Sequence, residues 1–243
     1  MKEEEFKVME NIKKQKFDGY ADMYDEWIMK NENLFSSELR LFKKALGDIR
    51  GKKLLSVGCG SGLFESFIDS SGIEGIEPSI DMGHIAEKRG VNIIKYALIE
   101  DVELAHDYYD IIYFNGSSSY IEKLKPVYDK CFKALKKKGR LILFDVPKES
   151  AFGFMYLLGK SLNTYDHEYL KGAMPSLPYP IELASSGIWH TSEEKINILK
   201  SLGANKFTFY QTLLRNPIYT NEEEEDVSEG YKSGGYVAII AEK

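Results

Sequence analysis

The chain has 243 residues, 43% of them hydrophobic and 29% charged, a balance that suits one soluble domain or one domain carrying a sizeable insertion. A chain of this length folds without disulfides or a structural metal, and its two cysteines, Cys59 and Cys131, show no paired-thiol or four-ligand zinc spacing. Reduced thiols, a charged start (MKEEEFKVMENIKKQKF) and no apolar run near the ~20 residues a bilayer requires point to the cytoplasm and exclude a signal peptide or membrane span. A formal net charge of −6 argues against nucleic acid as a partner, which calls for a basic stripe.

Residues 1–50 read as an N-terminal helical cap, in which Phe35, Leu39, Phe42 and Leu46 recur at intervals of three and four and so share one face. From residue 51 to 243 short runs rich in Val, Ile, Leu and Tyr alternate with helical stretches, the pattern of a parallel sheet covered by helices. Strands are expected at 53–57, 72–77, 92–96, 110–114 and 140–146, several apolar throughout as strands buried on both faces should be. Ser79 is placed to cap a helix carrying Met82, Ile85 and Ala86 inward, with Gly90 as its stop. A second helical stripe, Leu124, Val127, Cys131 and Leu135, ends in Lys136–Lys138 and is expected to close at Gly139.

Residues 147–190, with four prolines and many aromatics, read as an insertion over the sheet's carboxyl edge. Thr191 and Glu194 then form a capping box for a helix with Ile196, Leu199 and Leu202 inward, stopped by Gly203. Two last strands, 206–213 and 235–241, are expected to pair antiparallel across the acidic run Glu222 to Asp226, read as a solvated loop. The fold class is thus α/β: a doubly wound, mostly parallel, seven-stranded sheet with an antiparallel last strand.

The most informative segment is LLSVGCGSGLFESF, residues 54–67, where a strand runs into Gly58, Cys59, Gly60, Ser61 and Gly62 and a helix is expected to follow at once. Glycines suit a tight turn that a ligand's atoms must approach closely. Nineteen residues after Gly58, at the end of the next strand, Glu77 stands where a carboxylate accepts hydrogen bonds from both ribose hydroxyls. Leu63 replaces the third glycine of a dinucleotide fingerprint, which disfavours an NAD-dependent oxidoreductase, and no Gly-Lys-Ser/Thr follows to make a P-loop. A nucleoside without phosphates fits best.

These residues resemble the class I S-adenosylmethionine-dependent methyltransferases of Rossmann-like fold, in particular the small-molecule enzymes related to the ubiquinone and menaquinone C-methyltransferases. VGCGSG (57–62), IEPSIDM (76–82), ALIEDVEL (97–104) and YDIIYFNGSSSYI (109–121) are similar to that family's successive motifs, and YADMYDEW (20–27) to its aromatic N-terminal segment. The resemblance implies S-adenosylmethionine as cofactor, its methionine part on Gly58 and Gly60 within the loop that includes Cys59 and Gly62, and its ribose on Glu77. It further implies adenine between Pro78 or Met82 and the stretch Leu98, Ile99 and Glu100, Asn115 beneath the sulfonium, and Tyr20 and Tyr24 closing over the site. One departure is Ser56, where the family usually carries an acid that helps hold the methionine amino group; another is Leu98, where many relatives have Asp.

Methyl transfer is an in-line displacement whose barrier yields mainly to alignment and exclusion of water, so no catalytic triad is required. His190 and Tyr120 are the candidates for a general base, and Tyr24, Tyr120 and Trp189 for contact with the acceptor. No metal-ligand spacing joins the histidines. The aromatics of 20–27 and 152–189 suit a small, partly apolar acceptor or a stacked cation. The expected activity is methyl transfer to a small molecule; the rival is a regulatory protein that kept the nucleoside site and lost transfer. Oligomeric state is not encoded in any motif.

Overall fold

The computed structural model describes residues 16–243, and the part of the helical cap expected over 1–15 lies outside the described residues. Strands β1 (Leu54–Val57), β2 (Ile73–Ile76), β3 (Asn92–Lys95), β4 (Tyr109–Asn115) and β5 (Leu135–Asp145) run parallel. They are followed by β6 (Lys206–Thr212), a two-residue β7 (Ser228–Glu229) and β8 (Tyr236–Glu242), in the order β3-β2-β1-β4-β5-β8-β6-β7. β8 lies antiparallel to both β5 and β6. The sheet therefore has eight strands rather than seven, the extra one being the short β7, which pairs Ser228 and Glu229 with Gln211 and Tyr210 inside the segment expected to be all loop.

All four residues of β1 are buried, and side chains alternate between two apolar layers, Leu54 joining one and Leu55 and Val57 the other. On the first layer lie α1 (Ala21–Lys30) and α2 (Glu32–Leu46), whose Phe42 packs on Tyr113 and Phe144 at ring-centroid distances of 5.6 and 5.0 Å. On the second lie α4 (Leu124–Ala134), with Cys131 fully buried, and α7 (Ser192–Ser201), carrying Ile196 and Leu199. Helix α3 (Ile80–Lys88) begins as its sequence indicates, Ser79 Oγ accepting the Met82 N–H, and Gly90 follows with φ 94°. At α7, Thr191 Oγ1 accepts the Glu194 N–H at 3.1 Å. Between β5 and α7 the chain forms α5 (Ala151–Leu162) and α6 (Ile181–Ser186).

Two helical expectations fail. After the glycine loop there is only one turn of 3-10 helix, Glu65–Phe67, and α4 ends at Ala134, with Lys136–Gly139 already inside β5. Gly139 is not a helix stop; a Cβ there would meet the Lys136 carbonyl oxygen at 2.8 Å, so the residue serves a close backbone approach within the strand. The acidic run is less free than its charge implies: Arg40 pairs with Glu224 and Asp226, and Glu225 accepts the Leu214 N–H.

The order reverses at β1, which pairs with β2 on one side and β4 on the other. In an open parallel sheet this switch point opens a crevice beyond the carboxyl ends of the strands. Among the described residues no helix is long and apolar enough to cross a membrane.

Candidate functional site: a cavity at the switch point

A cavity of about 530 Å³ occupies that crevice. Its floor is the loop after β1. Gly58, Gly60 and Gly62 have φ of 65°, 57° and 67°, a region side chains with a Cβ avoid. Gly58 and Gly62 do different work. A Cβ on Gly58 would meet Ser117 Cβ at 2.6 Å beside the cavity, whereas one on Gly62 would meet the Ala86 backbone at 3.0 Å, so Gly62 lets α3 approach and is not part of the wall.

Glu77, 4% exposed, projects from the end of β2. One carboxylate oxygen accepts the Gly60 N–H at 2.8 Å and the other the Ser79 N–H at 2.9 Å. Burial pushes its carboxyl up to about 7, and those two backbone donors oppose the shift. The folded carboxyl thus keeps its proton to higher pH than an unfolded one near 4.5, so its contribution to stability is complete below about pH 4.5 and lost as pH rises through 7. For this buried group the change is about 3 kcal/mol. Urea unfolding from pH 4.5 to 8 should show wild type losing stability relative to Glu77→Gln by that order; parallel profiles would refute it.

Ser56 is fully buried, and its hydroxyl donates to Glu65 Oε1 at 2.9 Å. Tyr113, opposite Ser56 in the β1–β4 register, donates to the same oxygen at 2.8 Å. Glu65, 2% exposed, lines the cavity just beyond the glycine loop. Its carboxyl is raised by burial and held down by the Tyr113 and Ser56 hydroxyls. The position that lacks the expected acid thus holds in place a carboxylate from nine residues further along. The clue in the sequence was the missing acid at 56 together with an acid in the first turn after the loop.

Around the cavity stand Pro78, Met82, Leu98, Ile99 and Glu100, and also Asn115, which accepts the Tyr236 hydroxyl. Cys59, Tyr24, Tyr120 and Trp189 also line it. Burial keeps the Cys59 thiol well above its usual range. Three expected site residues do not reach the wall. Gly62 packs against α3 as described, and Tyr20 sits at the cap of α1 outside the lining. His190, 6% exposed, places Nε2 3.1 Å from the Ile121 carbonyl and Nδ1 3.3 Å from Glu194, so its ring is occupied in joining the loop after β4 to α7. Tyr120 does reach the wall, but its hydroxyl pairs with that of Tyr179 at 3.0 Å and burial raises its ionisation far above neutrality, which makes it a poor base. The sequence reading did not single out Glu38, Glu65, Trp27, Asp145 or Tyr236, all of which face the cavity.

A glycine cradle that a Cβ would fill, with a buried carboxylate at the end of the neighbouring strand and no phosphate-binding lysine in the loop, fits an adenosyl group. The family described as "Methyltransferase domain" matches residues 30–191. The chain belongs to this family. It is a class I S-adenosylmethionine-dependent methyltransferase with S-adenosylmethionine as its cofactor. An uncharacterized protein of Methanocaldococcus jannaschii is 29% identical over 229 residues, covering 93% of this chain and 98% of its own. A methyltransferase of Thermotoga maritima, described as a possible histamine N-methyltransferase, is 25% identical with a TM-score of 0.78, covering 94% of this chain and 98% of its own. The methyltransferase also shares its fold with geranyl diphosphate C-methyltransferase of Streptomyces coelicolor, solved with Mg2+, geranyl diphosphate and S-adenosylhomocysteine, at 15% identity and a TM-score of 0.56 over 85% of this chain and 77% of that one.

Proposed function

We propose that the enzyme methylates a small molecule held in the aromatic half of the cavity, with the cofactor seated over the glycine loop. The observation that carries this reading is one continuous cavity with a polar, glycine-floored end and a tyrosine-rich end. Bound S-adenosylmethionine supplies an electrophilic methyl group on a sulfonium. Glu77 accepts the ribose hydroxyls, Gly58 and Gly60 approach the methionine part, and Glu65 holds its amino group in place of the acid missing at Ser56. Met82 and Pro78 pack one face of the adenine, with Leu98, Ile99 and Glu100 along its edge. Exclusion of water by Tyr24, Trp27 and Trp189 aligns the acceptor for in-line attack.

The kinship with the quinone C-methyltransferases rests on motif likeness alone, whereas the cavity wall speaks to the acceptor's chemistry. Calorimetric titration tests the cofactor arrangement: S-adenosylmethionine and S-adenosylhomocysteine bind in the micromolar range and NAD does not. Glu77→Ala weakens binding by roughly 1–3 kcal/mol through lost charge-assisted hydrogen bonds. Unchanged binding in that variant would overturn the ribose assignment. Incubating the protein with S-adenosylmethionine and candidate acceptors addresses the regulatory rival, since formation of S-adenosylhomocysteine that depends on an acceptor requires transfer.

A further inference from the structure

Besides the residues assigned to the cofactor, the same cavity has a chamber walled by rings from five segments of the chain. Tyr24 and Trp27 come from α1, Tyr156 from α5, Tyr179 from the loop before α6, Trp189 from the loop before α7 and Tyr236 from β8. Five of these rings form a connected set: Tyr24 and Tyr179 at 6.4 Å, Trp27 and Tyr179 at 5.1 Å, Tyr156 and Tyr179 at 5.8 Å, Tyr156 and Trp189 at 4.9 Å. Glu38, on α2, faces this chamber.

The lining carries six carboxylates, Glu38, Glu65, Glu77, Glu100, Glu122 and Asp145, against the single ammonium of Lys16 among the described residues. Three of the six have fixed partners inside the protein. Glu77 takes two backbone N–H groups, Glu65 two hydroxyls, and Asp145 the buried ammonium of Lys195. Glu100 and Glu122 are exposed. Glu38, part-buried, has no ion pair or side-chain hydrogen bond among the described residues, so its carboxyl group faces the cavity with no protein cation beside it. An anionic acceptor meets the wrong sign here, and a neutral one leaves Glu38 uncompensated. A cation supplies what is missing, since ring faces attract it and the carboxylate pairs with it.

Resting on the cofactor reading above, we propose that this chamber takes an organic amine, bound as its ammonium between Glu38 and the tyrosine and tryptophan faces, as the methyl acceptor. The ammonium must lose a proton before attack. An N–H bond breaks and an O–H bond forms on Glu38. The freed nitrogen lone pair then makes the N–C bond while the C–S bond breaks, its electron pair going to sulfur. Burial pushes the Glu38 carboxyl up to about 8, and an ammonium beside it draws it back toward the ionised form that accepts the proton; the titratable groups facing it are Tyr24, Tyr156, Tyr179 and Tyr236.

The test is binding to the protein loaded with S-adenosylhomocysteine, read by calorimetry and by the fluorescence of Trp27 and Trp189. The probes are phenethylamine and cyclohexylamine against 2-phenylethanol, cyclohexanol and 3-phenylpropionate. At least one amine is expected to bind tenfold or more tighter than its alcohol or carboxylate counterpart. In Glu38→Gln that preference disappears while S-adenosylhomocysteine affinity stays within twofold of wild type. The assignment is overturned if neither amine binds, if alcohol or carboxylate binds as well, or if Glu38→Gln retains the preference. It is also overturned if Glu38→Gln loses S-adenosylhomocysteine, because Glu38 would then hold the cofactor. A wild-type protein that does not take up S-adenosylhomocysteine would instead sink the cofactor reading itself.

Discussion

Glu65→Gln is expected to weaken S-adenosylhomocysteine binding by about 2 kcal/mol, roughly thirtyfold, while leaving the folded protein close to wild type in stability. The glutamine carbonyl still accepts the Ser56 and Tyr113 hydroxyls, so both buried donors keep their partner and only the charge is lost. Glu65→Ala removes the acceptor as well. It strands the hydroxyl of Tyr113, which is fully buried, and adds a folding penalty of about 1–3 kcal/mol to the binding loss. Comparing the two variants separates a carboxylate needed by the ligand from an acceptor needed by the core. The decisive member of the series is Ser56→Asp combined with Glu65→Ala. If the cavity requires a negative charge at this point, and not a particular stretch of chain, the double variant recovers most of the affinity lost in Glu65→Ala. Calorimetry on the three proteins checks it, and wild-type affinity in Glu65→Gln would remove Glu65 from the cofactor site.

The same residues show what a sequence does and does not disclose. The sheet was legible because β1, β4 and the second half of β5 are largely buried on both faces and so carry mostly apolar runs, and because Ser79, Gly90, Thr191 and Gly203 mark helix ends by chemistry that acts over three or four residues. Gly139 misled because a glycine following a basic helical stripe has the pattern of a helix stop; what decides its role is the nearby Lys136 carbonyl within β5. β7 was not legible at all, since two residues pairing at a sheet edge leave no periodicity.

At the site, the glycine loop and Glu77 were legible from a spacing imposed by one strand, one turn and the next strand. Glu38 was not, because it lies within a helix, sixteen residues ahead of the start of β1, and only tertiary packing turns it toward the tyrosines of α5 and β8. His190 shows the reverse error. A histidine beside a tryptophan in an aromatic insertion has the look of a base, and its ring is instead taken up by a backbone carbonyl and Glu194.

Lys195→Met is expected to be the most destabilising of the substitutions considered, at about 3–5 kcal/mol, with a fall in melting temperature on the order of 10 °C. Lys195 and Asp145 are 1% and 2% exposed at the side chain and meet at 2.5 Å, tying α7 to the carboxyl end of β5 beside the cavity. Asp145 spends its other oxygen on the Ser119 hydroxyl at 2.9 Å and the Val146 N–H at 3.0 Å. Removing the lysine leaves a desolvated carboxylate with two neutral donors and no counter-charge. Much of the cost is therefore the stranded charge and not the net strength of the pair, since isolating one ion in a dry interior is far worse than removing both. Lys195→Met combined with Asp145→Asn isolates that share. The asparagine carbonyl keeps the Ser119 and Val146 bonds and carries no charge, so the double variant should regain more than half of the stability lost by the single one. Denaturant unfolding of the wild type and of the single and double variants closes the cycle. A loss below about 1 kcal/mol in Lys195→Met, or no recovery in the double variant, would mean that water or a neighbouring group compensates Asp145 and that the ion pair is not what fastens α7 to the sheet.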